Sequence, residues 1–154
     1  MMVAVLQCVQ KIGFPEVPKK KTEKKAPHVL KILLVEDNPG DQRLFMDAVS
    51  EARILCQLSF ADSGEAALEE IRSQKPDLIF MDVIMPGLSG GDLARKLDED
   101  ISTQLIPIIF LTGVFNEAYS KGINVAEKTY PALSKPINAQ KLKHIILGFN
   151  IATK

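Results

Sequence analysis

Cysteine is nearly absent from this chain: Cys8 and Cys56 are the only two in 154 residues. One falls in an atypical leader and the other inside an apolar run. That excludes a disulfide framework and reads Cys56 as a small buried hydrophobe in a reducing compartment. Long apolar stretches are lacking as well. Nothing approaches the ~20 residues needed to cross a bilayer, so no membrane segment is expected. The opening MMVAVLQCVQ is short, has no basic residue ahead of it, and places Gln7 where an export signal requires a small residue. Net charge is also missing, with 19 basic against 19 acidic residues, which removes any global electrostatic case for nucleic acid or membrane. A cytoplasmic protein is expected.

The zero net charge hides an asymmetry. Residues 1–28 hold six Lys and two Glu, a net of +4, leaving −4 for the remainder. Pro15, Pro18 and Pro27 bracket the run KKKTEKK, which is too polar and self-repelling to pack. Residues 1–28 therefore read as a flexible basic leader or interdomain linker. No aromatics interleave the lysines and no reader motif follows, so direct nucleic-acid binding finds no support. The remaining length suits one domain, placed at 29–150, with a tail at 151–154. A hydrophobic fraction of 46% and a charged fraction of 25% are those of a globular protein able to bury a full core.

From Val29 a rhythm appears. LKILLV (30–35), DLIFMDV (77–83) and IPIIFLTG (106–113) are short apolar runs suited to strands buried on both faces. CQLSFA (56–61) alternates and reads as an outer strand, and TYPALS (129–134) is a weaker one, whose Pro131 suits only an edge. Between them lie helical patterns. After Asn38-Pro39 comes GDQRLFMDAVSEA, with Leu44, Phe45, Ala48 and Val49 on one face. GEAALEEIRSQ follows Ser63, with Ala67, Leu68 and Ile71 facing in; GGDLARKLDED, NEAYSKGINVA and NAQKLKHIILGF supply three more, the last capped by Asn138. Five strands alternating with five helices predict a doubly wound α/β fold with a five-stranded parallel sheet. Its ligand site should lie beyond the carboxyl ends of the strands.

Those ends carry chemistry. The first run ends in Glu36-Asp37, the third in Asp82, the fourth in Thr112-Gly113 and the fifth in Ser134-Lys135-Pro136. Clustered carboxylates raise one another's pKa unless they share a cation. Hard oxygen ligands with room for water and phosphate suit Mg²⁺. Lys135 adds positive charge and Thr112 a hydroxyl, which makes Asp82 the natural nucleophile of a phosphoryl transfer. Any one of these residues alone would be an ordinary loop residue, helix cap or turn. The set, with each member at the end of a different apolar run, is hard to obtain by chance.

The residues LLVEDNP (33–39), DLIFMDVIMPGLSGGDL (77–93), IPIIFLTG (106–113) and LSKPI (133–137) resemble the response-regulator receiver family, over roughly residues 29–149. The resemblance implies a flavodoxin-like sheet of order 2-1-3-4-5. It implies that Asp82 is phosphorylated by a phosphohistidine on a sensor histidine kinase or phosphotransfer protein. Asp37 and Asp82 would bind Mg²⁺ directly with the backbone carbonyl of Ile84, Glu36 would act through water, and Thr112 and Lys135 would hold the phosphoryl oxygens. Met85-Pro86-Gly87 matches the family's turn after the acceptor and Gly90 its helix start, and the Lys135–Pro136 bond is expected to be cis. Two departures stand on one face. Ala132 occupies the position of the family's switch aromatic, with Tyr130 two residues upstream, and INVAEKTYP replaces the usual small-residue pair.

The expected mechanism is a population shift in which phosphorylation recruits Thr112 and Lys135 and rearranges the fourth helix and last strand. An aspartyl-nucleophile phosphohydrolase is disfavoured, because the general acid such enzymes carry two residues after the nucleophile is here Ile84. A phosphorylation-independent docking module is the other alternative, which the intact residue set argues against. The protein is thus read as no enzyme beyond its own phosphorylation and dephosphorylation. Apolar Ile84 and Val114 beside the acceptor suggest a slow loss of the phosphoryl group. The chain stops soon after the last helix, so a stand-alone regulator and a receiver of a larger hybrid kinase both stay open, as do the output partner and a homodimer.

Overall fold

Strands whose side chains are apolar on both faces must be covered on both faces, and that requirement organises this molecule. A computed structural model describes residues 28–114 and 119–152, with side chains through Phe149. The expectations for the leader therefore lie outside the described residues, apart from His28, which is exposed and bonds Asp77 at 2.8 Å.

In chain order the elements are β1 (Leu30–Val35), α1 (Pro39–Glu51), β2 (Cys56–Ala61), α2 (Gly64–Gln74), β3 (Leu78–Asp82), α3 (Gly90–Glu99), β4 (Ile108–Thr112), β5 (Ile123–Val125), β6 (Lys128–Tyr130), β7 (Ala132–Ser134) and α4 (Ala139–Ala152). Strands β2-β1-β3-β4-β7 form one parallel sheet, the predicted order with β7 as its fifth member. Central strands β3 and β4 are buried at every position, while the edge strand β2 is mostly half-exposed, as its alternation predicts.

Odd and even residues of the central strands feed two cores. On one face Phe80, Leu78, Ile109 and Leu111 pack with Phe45, Ala48 and Val49 of α1 and Leu142 and Ile146 of α4. On the other, Ile79, Met81, Ile108 and Phe110 pack with Ala67 and Ile71 of α2 and Leu93, Ala94 and Leu97 of α3. Leu44, expected on the inward face of α1, is half-exposed: Phe45, Ala48 and Val49 define the buried stripe, and Leu44 falls beside it. Helix starts follow local chemistry. Asn38, Ser63, Ser89 and Asn138 each accept from a backbone N–H of the first turn that has no helical partner. Helix α4 continues through Ala152, two residues into the expected tail.

One expectation fails. A helix was expected over NEAYSKGINVA (116–126), but among the described residues there are four helices, and 123–130 form an antiparallel hairpin, β5 with β6. The cause is local. Gly122 has φ +102°, and a Cβ there would lie 2.5 Å from the Tyr130 carbonyl, so the chain enters the hairpin through a conformation closed to other residues. Ile123, Val125 and Thr129 are β-branched, and a two-residue turn with Ala126 at φ 53° closes the pair. Pro131 then divides the expected strand 129–134 into β6 and β7, while its carbonyl accepts from the Phe110 N–H at 2.9 Å. The hairpin covers the sheet face beside α3 that the helix would have covered: Tyr130 is 2% exposed and meets Phe110 edge-on, and Ile123 and Val125 pack on the same core.

Candidate functional site

All the singled-out residues come to one rim because each closes, or immediately follows, a parallel strand: Glu36 and Asp37 after β1, Asp82 ending β3, Thr112 ending β4 and Lys135 after β7. The Lys135–Pro136 bond is cis, as expected. Gly90 N–H reaches the Val83 carbonyl at 3.3 Å, folding Met85-Pro86-Gly87 over the end of β3.

Lys135 organises the rim. Its ammonium lies 2.8 Å from Asp82 Oδ2, 2.5 Å from Glu36 Oε2 and 2.9 Å from Asp41 Oδ2. Glu36 is 1% exposed and Asp82 8%, so two carboxylates are taken out of water beside one cation. Burial works against the charge on Lys135, but hydrogen bonds to Asp82, Glu36 and Asp41 outweigh it and hold its pKa above the usual lysine range. Glu36 moves the other way for a carboxyl. Burial raises its pKa, Asp82 adds to the rise, and Lys135 and the Asn38 N–H only partly offset it.

Carboxylate oxygens of Glu36, Asp37 and Asp82 lie within 4.8 Å of one another. Oxygen ligands of an octahedral Mg²⁺ are separated by roughly 2.9–4.2 Å when the metal–oxygen distance is 2.0–2.1 Å. The donors are all hard oxygens, with no sulfur or imidazole among them, so the residues fit a small hard divalent cation. Asp82 Oδ1 also accepts from the Ile84 N–H at 3.3 Å, which fixes the backbone of Ile84 against the cluster while its side chain stays 72% exposed. Thr112 is buried on the same rim, its hydroxyl donating to the Val114 carbonyl at 3.2 Å and accepting from the Val114 N–H at 3.1 Å.

Sequence reasoning missed Asp41. It stands in the first turn of α1, where an acidic residue is explained by the helix dipole alone. Its approach to Lys135 spans 94 residues and is visible only in the fold.

A profile of the response regulator receiver domain matches residues 32–147, and the chain belongs to that family. Protein PilH of Pseudomonas aeruginosa is 30% identical over 112 residues, covering 73% of this chain and 90% of PilH. The protein-glutamate methylesterase/protein-glutamine glutaminase 1 of Syntrophus aciditrophicus is 34% identical over 105 residues, 68% of this chain and 27% of that protein. The chain spans between 24% and 46% of the length of two further curated relatives. Among solved structures, the receiver domain of a signal transduction histidine kinase from Syntrophus aciditrophicus superposes with a TM-score of 0.67 at 25% identity, over 82% of this chain and 93% of that one. The chain is therefore a receiver domain of two-component signalling. No helix among the described residues is long and apolar enough to cross a membrane.

Proposed function

We propose that Asp82 accepts a phosphoryl group from a phosphohistidine on a sensor histidine kinase or phosphotransfer protein, and that the acyl phosphate biases a conformational equilibrium read by another protein. One observation carries this reading: Asp82 Oδ2 sits 2.8 Å from the ammonium of Lys135, at the centre of an acidic cluster on the strand-end rim. In the transfer an Asp82 oxygen attacks phosphorus, the P–N bond breaks with its electron pair going to nitrogen, and the imidazole leaves neutral because its other ring nitrogen carries a proton. Lys135 neutralises charge on the moving oxygens, and Thr112, released from Val114, donates its hydroxyl to one of them. Asp37, Asp82 and the Ile84 carbonyl would hold Mg²⁺, with Glu36 acting through water. When bound, the ion supplies charge neutralisation at the equatorial oxygens.

The chain acts on itself alone in this reading. Two residues beyond Asp82 stands Ile84, which cannot move a proton for a hydrolase. The receiver occupies 29–150, preceded by a basic leader, and works in the cytoplasm without touching nucleic acid or membrane. The test is intact-mass spectrometry after incubation with acetyl phosphate and Mg²⁺, beside Asp82→Asn and a Mg²⁺-free control. One added phosphoryl group, lost in both controls, is expected. No adduct under any condition overturns the reading and leaves a docking module.

A further inference from the structure

A lysine ammonium has three N–H donors, and three carboxylates stand within 2.9 Å of Lys135 Nζ to meet them: Glu36, Asp82 and Asp41. Only two of these belong to the acidic cluster. Asp41 comes from α1, lies outside that cluster, and reaches Lys135 from the side where Leu44, Phe45, Pro136 and Ile137 wall a small cavity. Its side chain is 35% exposed, against 1% for Glu36 and 11% for Asp82.

We infer that Asp41 is a positioning residue for phosphoryl transfer: it anchors Lys135 to the first turn of α1, so that the ammonium keeps its place while its bond to Asp82 passes to the phosphoryl group. The inference rests on the Asp82 reading above. Once an Asp82 oxygen bridges to phosphorus it is a far poorer acceptor, so the N–H it held is the one free to follow the phosphoryl oxygen. The bonds to Glu36 and Asp41 need not break, and together they fix the position from which that third donor acts. Without Asp41, a side chain with four rotatable bonds is held by Glu36 alone during the transfer. Effective positioning is where much of the barrier to phosphoryl transfer is lowered. Glu36 alone cannot substitute, because it is needed at the cation site and one bond leaves the ammonium free to pivot. Asp41 also ties α1 to the β7–α4 turn, so the element that carries Asn38 and follows Glu36-Asp37 is registered against Lys135 through the same contact.

The test separates anchoring from bulk charge. Asp41→Asn keeps an oxygen acceptor at the same reach and loses the charge, whereas Asp41→Ala loses both. Phosphoryl uptake from acetyl phosphate is measured against donor concentration at saturating Mg²⁺ for the wild type and both variants, with melting temperatures as a check on folding. Both variants lose one negative charge beside an anionic donor, so any change in apparent KM is shared. The rate at saturation should fall about threefold in Asp41→Ala, the size of one net hydrogen bond to a partly exposed acceptor, and stay near wild type in Asp41→Asn, which keeps that acceptor. Equal saturating rates in the wild type and Asp41→Ala, or equal losses in both variants, overturn the anchor while leaving Asp82 in place as acceptor. A faster saturating rate in Asp41→Ala overturns it too, by making Asp41 a competitor for the lysine. A wild type that takes up no phosphoryl group overturns the Asp82 reading itself, and this inference with it.

Discussion

Replacing Asp82 by Asn should leave the metal-free protein at least as stable as the wild type and should abolish its stabilisation by Mg²⁺. The magnitude follows from distances on the rim. At an effective dielectric of about 20, the 2.8 Å contact with Lys135 is worth roughly 6 kcal/mol to the Asp82 charge. Repulsion from Glu36, whose nearest oxygen lies within 4.8 Å, removes at least roughly 3.5 kcal/mol of that, and exposed Asp37, screened by water, about 1 kcal/mol more. What is left, at most about 1.5 kcal/mol, is smaller than the several kcal/mol that desolvating a carboxylate costs. Asn keeps the shape and can turn its single amide oxygen to the Lys135 ammonium, leaving its NH2 group against the Ile84 N–H, so the charge is lost at the expense of one long hydrogen bond. The expected gain is about 1–2 kcal/mol, a rise of several degrees in melting temperature for a domain of this size. Mg²⁺ at ten times its dissociation constant should add about 1.4 kcal/mol to the wild type by mass action. It should add almost nothing to Asp82→Asn, in which one of the three carboxylates is gone. Urea denaturation with and without Mg²⁺ measures both quantities. A metal-free Asp82→Asn that is destabilised by more than about 1 kcal/mol would refute the electrostatic reasoning, and equal Mg²⁺ stabilisation of the two proteins would refute the assignment of the cation to this cluster.

Three further outcomes follow from particular contacts. Gly90→Ala places a Cβ 2.2 Å from the Asp82 carbonyl oxygen, so β3 or α3 must shift; a loss of at least about 2 kcal/mol in urea denaturation is expected. Stability should fall as pH rises above about 10. Lys135, whose pKa is raised in the fold, contributes stability that is complete below its ordinary 10.5 and is lost above it, while Tyr130 must stay protonated in the fold and loses its proton more readily when unfolded, from its ordinary 10.0 upward. Tyr130→Phe should reduce the alkaline slope by up to about 1.4 kcal/mol per pH unit, read from urea midpoints between pH 9 and 11. If the phosphoryl group resides on Asp82, its half-life should exceed seconds and should shorten in Ile84→Asn, which gives an attacking water a hydrogen-bond partner; unchanged decay measured by mass spectrometry would contradict that role for position 84.

The parts of this fold that the sequence discloses are those where one physical requirement acts alone. Leu78 to Met81 and Ile108 to Leu111 must be buried on both faces, and runs this short between helical patterns meet that as covered parallel strands. The rim residues were legible for the converse reason, since Glu36, Asp82, Thr112 and Lys135 interrupt apolar runs that would otherwise exclude them. Residues 119–130 gave no such single signal. Tyr119 to Gly122 has the polarity of a helix surface, Ile123 to Val125 is too short to display a period, and the decisive facts are the left-handed backbone at Gly122 and the burial of Tyr130 against Phe110. The latter is a contact across elements. Asp41 was hidden in the same way: its position satisfies a helix start, and its second use depends on where the chain brings Lys135.

The hairpin that takes the place of a helix changes how that side of the molecule can move. Its backbone hydrogen bonds run between β5 and β6, so it carries its own ladder and can be displaced as one piece without opening any of it. What fastens it to the body is made of side chains: Tyr130 in its pocket with its hydroxyl on Asp98, Lys128 paired to Asp98 at 2.7 Å and lying over the Tyr130 ring, and Ile123 and Val125 on the core. A helix over 116–126 would have had about three turns of contact over which to slide by small steps. This flap has one deep peg, Tyr130, beside Pro131 at the opposite end of β7 from Lys135, so its motion is closer to a latch that is seated or drawn than to a graded shift.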